Sequence, residues 1–299
     1  MTDRTPPSSY RPTAGLTGAV YVMPVAVIMA ALVLIPLIFT MIDSLYRVDP
    51  MRAGTPFVGL ANYIQSFTDR NVLQAWNNTF VFVAMTVAIQ IVLGLSSALL
   101  LNRVRFGRSI LLAALVLPWC LPPVVNAVVW GWIFNPSYGV LNQILSTFGL
   151  VEPRHVWFND RLTALFLIAL VHAWRMMPLT AIILLASLQS IPRDLYEAAR
   201  LDGAGAFGLF RLVTLPLISG GIAIALSQST VFAFNMFDEA WILNGTSLDT
   251  RSIMIQVYMS AFQSLKFSYG MALSVLAMLA SLIVSAVYVV RVYSETRYD

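Results

Sequence analysis

Six stretches with almost no charge dominate this chain: residues 19–42, 80–101, 109–134, 162–188, 212–237 and 271–290. Each is close to or beyond the roughly 20 residues that a helix needs to cross a hydrocarbon core of about 30 Å. A bilayer offers no water to unpaired backbone groups, so each run must satisfy its own hydrogen bonds as a helix. The pattern predicts an all-α membrane protein with six transmembrane helices over residues 19–291. Composition agrees: 59% of the 299 residues are hydrophobic and 11% charged, with a mean hydropathy of +0.78. An ordinary globular domain carries about 25% charged residues.

Six spans put both termini on one side, and the connections choose the side. Loop 102–108 carries Arg103, Arg105 and Arg108 with no acid, which places it in the cytoplasm. Loop 190–211 and both termini then share that side. Across the connections Arg outnumbers acids on this side and not on the other, so the net charge of +4 is a topology signal. No basic cluster supports nucleic-acid binding. Residues 1–18, with Pro6, Pro7, Ser8, Ser9 and Pro12, lack apolar periodicity and are expected to form a disordered cytoplasmic tail. Residues 292–299 are expected to form a second cytoplasmic tail. The first apolar run exceeds the h-region of a signal peptide and no Ala-x-Ala site follows it, so no cleavage is expected. Cys120, alone, can form no internal disulfide and reads as a small buried residue.

Loop 190–211 is charged and helix-forming. Pro192 suits a first helical turn, where its missing N–H would be unpaired anyway, and Asp194 and Glu197 place negative charge near the positive end of the dipole. Tyr196, Ala199 and Arg200 share one face at three- and four-residue spacing. Gly203 can end the helix in the left-handed conformation. The expected product is a short helix lying across the membrane surface, where a soluble partner could grip it.

Catalytic devices are absent from the sequence. The only lysine, Lys266, follows Leu265, so there is no Gly-Lys-Ser/Thr phosphate loop. His155 and His172 stand alone, no Cys/His set could ligate zinc, and no Gly-x-Ser-x-Gly elbow occurs. No catalytic residue, metal site or bound cofactor is expected.

Polar residues within the spans are costly and face a bundle interior or an aqueous path. Gln228, Phe232, Asn235 and Glu239 recur at i, i+4, i+7 and i+11, one helical stripe. With Asp238, and with Asn126 and Trp130 from the third span, they are candidates to line a solute path; hydrogen bonding between helices is the alternative. Arg175, one turn from His172 and three residues before Pro178, is expected to pair with Asp238 or Glu239, as a gate or as a structural ion pair. Pro118-Trp119-Cys120-Leu121-Pro122-Pro123 must bend or break the third span. Gly94 and Ala98 form a small-xxx-small pair suited to a close helix contact.

Glu197-Ala198-Ala199, then Asp202-Gly203-Ala204, then Val213-Thr214-Leu215-Pro216 resembles the "EAA" signature of ABC importer permeases. Val213 stands where Ile is commoner, and Ser219-Gly220 replaces a Pro often found after the Leu-Pro. Trp130, Trp132, Phe134, Asn135, Tyr138, Gly139 and Asn142 resemble a stretch of carbohydrate importer permeases of the maltose type, although an interfacial aromatic belt explains the Trp and Tyr equally well. Within that family the chain looks most similar to the first permease subunit of mycobacterial trehalose importers.

The resemblance implies a type I ABC importer permease fold in the inner (plasma) membrane. It implies that Arg193, Asp194, Tyr196, Glu197, Ala198, Ala199, Arg200, Asp202, Gly203, Leu215 and Pro216 couple the chain to a separate ATPase. The implied partners are a second homologous permease, a cytoplasmic ATPase dimer carrying ATP and magnesium, and an extracellular substrate-binding lipoprotein received by loops 43–79, 135–161 and 238–270. The implied cargo is a sugar, such as the disaccharide trehalose. Two rivals remain. A proton-coupled secondary transporter would use Arg175 and Glu239 as its coupling pair, although no inverted pair of broken helices supports it. A scaffold or receptor would move no solute.

Overall fold

The computed structural model describes the backbone of residues 13–295 and the side chains of residues 19–290. In chain order the helices are α1 (Thr13–Met29), α2 (Ile35–Asp43), α3 (Ala61–Ser66), α4 (Arg70–Arg103), α5 (Arg108–Cys120), α6 (Pro123–Ile133), α7 (Val140–Thr147) and α8 (Arg161–Gln189). They continue as α9 (Arg193–Leu201), α10 (Ala206–Leu209), α11 (Leu215–Leu217), α12 (Ser219–Phe234), α13 (Asp238–Asn244), α14 (Ile253–Tyr258) and α15 (Phe267–Glu295). π-helical turns at Ala30–Leu34, Phe210–Thr214 and Met259–Gln263 join α1 to α2, α10 to α11, and follow α14.

Among the described residues four helices are long and apolar enough to cross a membrane: Ala19–Asp43, Arg70–Arg103, Arg161–Gln189 and Phe267–Val290. The other two expected spans are bent pairs. α5 and α6 meet at 96°, and Ala206–Leu217 meets α12 at 67°. The first break follows from Pro122 and Pro123, which force Leu121 and Pro122 into extended backbone with ψ of 135° and 140°. The second lies at Ile218, two residues beyond Pro216, whose ring cannot continue the hydrogen-bond ladder.

Helical structure extends into both stretches expected to be tails. Residues 13–18 of the stretch expected to be disordered are helical, part of α1; residues 1–12 lie outside the described residues. At the other end α15 carries the chain to Glu295, into the expected tail, and residues 296–299 lie outside the described residues.

α8 is the centre of the bundle, and its membrane-spanning stretch is the most buried of the four. α4 lies along it. Gly94 permits this approach, because a methyl group there would sit 2.6 Å from Thr180 Cγ2, and Ala98, one turn on, is fully buried. α12 packs against both α4 and α8, meeting α8 at Gly221, where a methyl would lie 2.0 Å from Ser187 Oγ. One layer joins Phe82, Leu165, Ile168 and Phe234; a second, nearer the other end, joins Ala98, Leu184, Leu188 and Ile218. The first span is peripheral, with its apolar side chains exposed on the isolated chain.

Side-chain caps start α4 and α8. Asp69 accepts from Asn71 N–H at 2.9 Å, and Asp160 accepts from Thr163 N–H and Oγ1, both at 2.8 Å. These bonds to Thr163 hold the Asp160 carboxyl below its ordinary pKa.

Candidate functional site

The charged loop forms the expected surface helix, α9, immediately after Pro192. Its end is a Schellman motif: Ala204 N–H donates to Ala199 O at 2.9 Å, and Gly203 N–H to Arg200 O at 3.0 Å. Gly203 has a φ of +85°, the left-handed region that favours glycine. Arg193, Asp194, Glu197, Ala198, Arg200, Asp202 and Gly203 are exposed, and Leu201 is 89% exposed. Tyr196 and Ala199 face inward. The Tyr196 hydroxyl lies 3.0 Å from Thr214 Oγ1, which donates to Leu209 O at 3.3 Å. This fastens α9 to the π-helical turn at the start of the fifth span. Val213 and Thr214 are buried there, while Leu215 and Pro216 are exposed.

Inside the bundle the structure brings the expected pair of Arg175 and Glu239 together and adds His172 to it. Arg175 Nε and a terminal guanidinium nitrogen each lie 3.0 Å from Glu239 Oε1, and His172 Nδ1 lies 3.2 Å from the same oxygen. Both Glu239 and His172 are buried. Of the two acids considered for Arg175, Glu239 is the partner; Asp238 is half-buried beside it in sequence. His172 stands alone in the sequence, and its place one turn from Arg175 is the signal that could have included it.

The proposed helical stripe is corrected by this arrangement. α12 stops at Phe234, Phe237 leaves helical geometry at φ −134° and ψ −60°, and α13 restarts on a new axis. Phe232 on α12 and Asn235 just beyond its end are exposed and Gln228 is half-buried, whereas Glu239 turns inward on α13. Asn126 is fully buried with its Nδ2 3.5 Å from Val171 O, and Trp130 packs against Phe134 and Trp174. Cys120, read as buried, is exposed on the isolated chain at the lip of the proline break.

The aromatic stretch after α6 builds its own support. Asn135 Oδ1 accepts from Ser137 N–H and Tyr138 N–H at 2.9 and 3.3 Å, and a methyl at Gly139 would sit 2.4 Å from Asn135 O. Asn142 donates to Pro136 O and His155 O and accepts from Trp157 Nε1 at 2.6 Å. Asn and Gly are required there by backbone geometry, which the belt reading left unexplained. Two further features were not legible in the sequence. Arg161 reaches Asn77 and Asn78, and Asn78 donates to Leu248 O and Arg251 O, binding the start of α4 to the loop before α14. A run of rings, Trp241, Phe237, Tyr258 and Phe262, packs at centroid distances of 5.3–5.5 Å.

Residues 90–296 match the family described as the inner membrane component of binding-protein-dependent transport systems. This chain belongs to that family. The trehalose/maltose transport system permease protein MalF of Thermococcus litoralis is 34% identical over 275 residues, covering 91% of this chain and 92% of that protein. The sulfoquinovosyl glycerol transport system permease protein SmoG of Agrobacterium fabrum is 31% identical over 277 residues, covering 91% and 89%. The fold matches a crystal structure of a bacterial ABC transporter that imports the acidic polysaccharide alginate, with a TM-score of 0.77 at 20% identity over 94% of this chain and 96% of that one. The chain is therefore a multi-pass membrane permease with the type I ABC importer permease fold.

Proposed function

We propose that this chain is one of two permease subunits of an ATP-driven sugar importer, with α9 as the helix through which a separate ATPase dimer acts on the membrane domain. The observation that carries the reading is the pairing of an outward, charged face on α9 with the inward Tyr196–Thr214 contact. Force applied to Glu197 and its neighbours is transmitted into the π-helical turn and on to α12. Loop 102–108 and α9 face the cytoplasm, together with both termini. An external binding protein delivers the sugar, and ATP and magnesium are held by the ATPase subunits.

The proposed cargo is a sugar, with a disaccharide such as trehalose or maltose as the first choice, because the trehalose/maltose permease is similar over nearly the whole chain. The sulfoquinovosyl glycerol permease, also a carrier of a glycoside by its name, supports sugar as the class. The proposed path runs beside Gln228, Phe232 and Asn235, where amides can bond hydroxyls and an aromatic ring can cover a sugar's C–H face. Asn126, Trp130, Arg175, Asp238 and Glu239 shape the wall from behind it.

The test compares the native complex in lipid, with loaded binding protein, against Glu197→Lys and Gly203→Asp. Both variants should assemble yet lose stimulated ATP hydrolysis and sugar uptake. Uptake that runs on a pH gradient with no ATPase subunit present would instead assign the Arg175–Glu239 pair to proton coupling.

A further inference from the structure

A cleft of about 570 Å³ opens where the ends of α4 and α8 meet the starts of α5 and α9. Its polar lining residues are Arg105, Arg108, Arg193, Asn102, Gln189 and Tyr196. No carboxylate faces it. The basic cleft near the opposite end of the bundle differs in this respect: there Asp49 sits among Arg47, Arg52 and Lys266 and pairs with Arg52 at 3.6 Å.

Three independent features ask for an anion. The guanidinium charges in the cleft have no counter-charge, and none of the three takes part in an ion pair among the described residues. Arg108 Nε is buried without a hydrogen-bond partner, a costly state unless an acceptor enters. Arg108 and Arg193 are also the first residues of α5 and α9, and α5, with no side-chain cap and no acid in its first turn, adds its positive dipole end to the same space, whereas Asp194 offsets that of α9.

The surroundings favour one source of that anion. Phe106, between Arg105 and Gly107, is 98% exposed, and Ile110 is 75% exposed on the first turn of α5. Apolar side chains of this kind beside cations suit the boundary between headgroups and acyl chains, and basic pockets between membrane helices on the cytoplasmic side take phosphorylated headgroups.

We propose that this cleft binds the phosphoryl group of an anionic lipid of the cytoplasmic leaflet. Arg105 and Arg108 grip the phosphate, Arg193 closes the cleft from α9, and Phe106 enters the acyl boundary. Because Tyr196 and Arg193 belong to α9, a bound lipid braces that helix against α4 and α8, and the lipid composition of the membrane tunes coupling. This rests on the proposed orientation of the spans.

The assembled complex, with its ATPase subunits, is placed in nanodiscs of phosphatidylcholine with phosphatidylglycerol, and retained phosphatidylglycerol is counted by native mass spectrometry. The Arg105→Gln/Arg108→Gln pair should bind it about twenty-five-fold more weakly, taking about fivefold for each Arg near an anionic surface. Arg108→Lys should keep most retention. Equal retention by the double variant overturns the proposal, as does loss of the ATPase subunits with lipid still held. Displacement of the lipid by millimolar inorganic phosphate keeps the anion site and overturns lipid as its occupant. Orientation is read separately, from Arg105→Cys in a Cys120→Ser background. Labelling by an impermeant maleimide only from outside overturns the orientation, whatever the lipid count.

Discussion

The Tyr196 hydroxyl and Thr214 Oγ1, eighteen residues apart in sequence, lie 3.0 Å from each other and fasten a charged surface helix to the start of a membrane span. One neutral hydrogen bond contributes about 1 kcal/mol, and under the proposed function it lies in the joint through which the ATPase acts.

Tyr196→Phe is expected to leave the amount of chain in the membrane unchanged and to lower binding-protein-stimulated ATP hydrolysis by about fivefold, the equivalent of one such bond. Hydrolysis at the native rate, measured on complexes matched for ATPase content, would show that the joint carries no force.

Glu239 is the sole acidic partner of Arg175 among the described ion pairs. Replacing it by Gln leaves a buried guanidinium without its counter-charge, and the expected loss of stability is about 3–5 kcal/mol. Thermal unfolding in detergent measures it. Arg175→Met combined with Glu239→Met should recover most of the loss, because a well-packed apolar pair removes both desolvation costs. If Glu239→Gln melts with the native chain, the ion pair does not hold α13 to α8.

Gly221→Ala forces a methyl to within 2.0 Å of Ser187 Oγ and 2.7 Å of its Cβ. Rotating the hydroxyl away relieves only the first clash, so α12 must move off α8 at a cost of about 1–3 kcal/mol. Ser187→Gly in the same chain should restore the contact. A double variant no more stable than Gly221→Ala alone falsifies this account of the contact.

Much of this architecture is legible in the residues because it is set by local chemistry. Apolar length gives the spans, and Pro122-Pro123 gives the break in the third, since no register of the chain restores the missing donors. The stop of α9 at Gly203 follows from backbone conformation alone. The stripe through Gln228, Phe232, Asn235 and Glu239 failed at its last member. Periodicity counts positions along one axis, and Phe237 starts another.

The residue pattern was enough to place the long apolar helices, the proline break of the third span and the short charged segment, because each depends on neighbours within a turn or two. Tertiary structure alone decided that Glu239 meets both His172 and Arg175, that Gly221 faces Ser187, and that Arg105, Arg108 and Arg193 converge on one cleft. Those meetings depend on the angles between helices, which side chains far apart in the chain fix together when they pack.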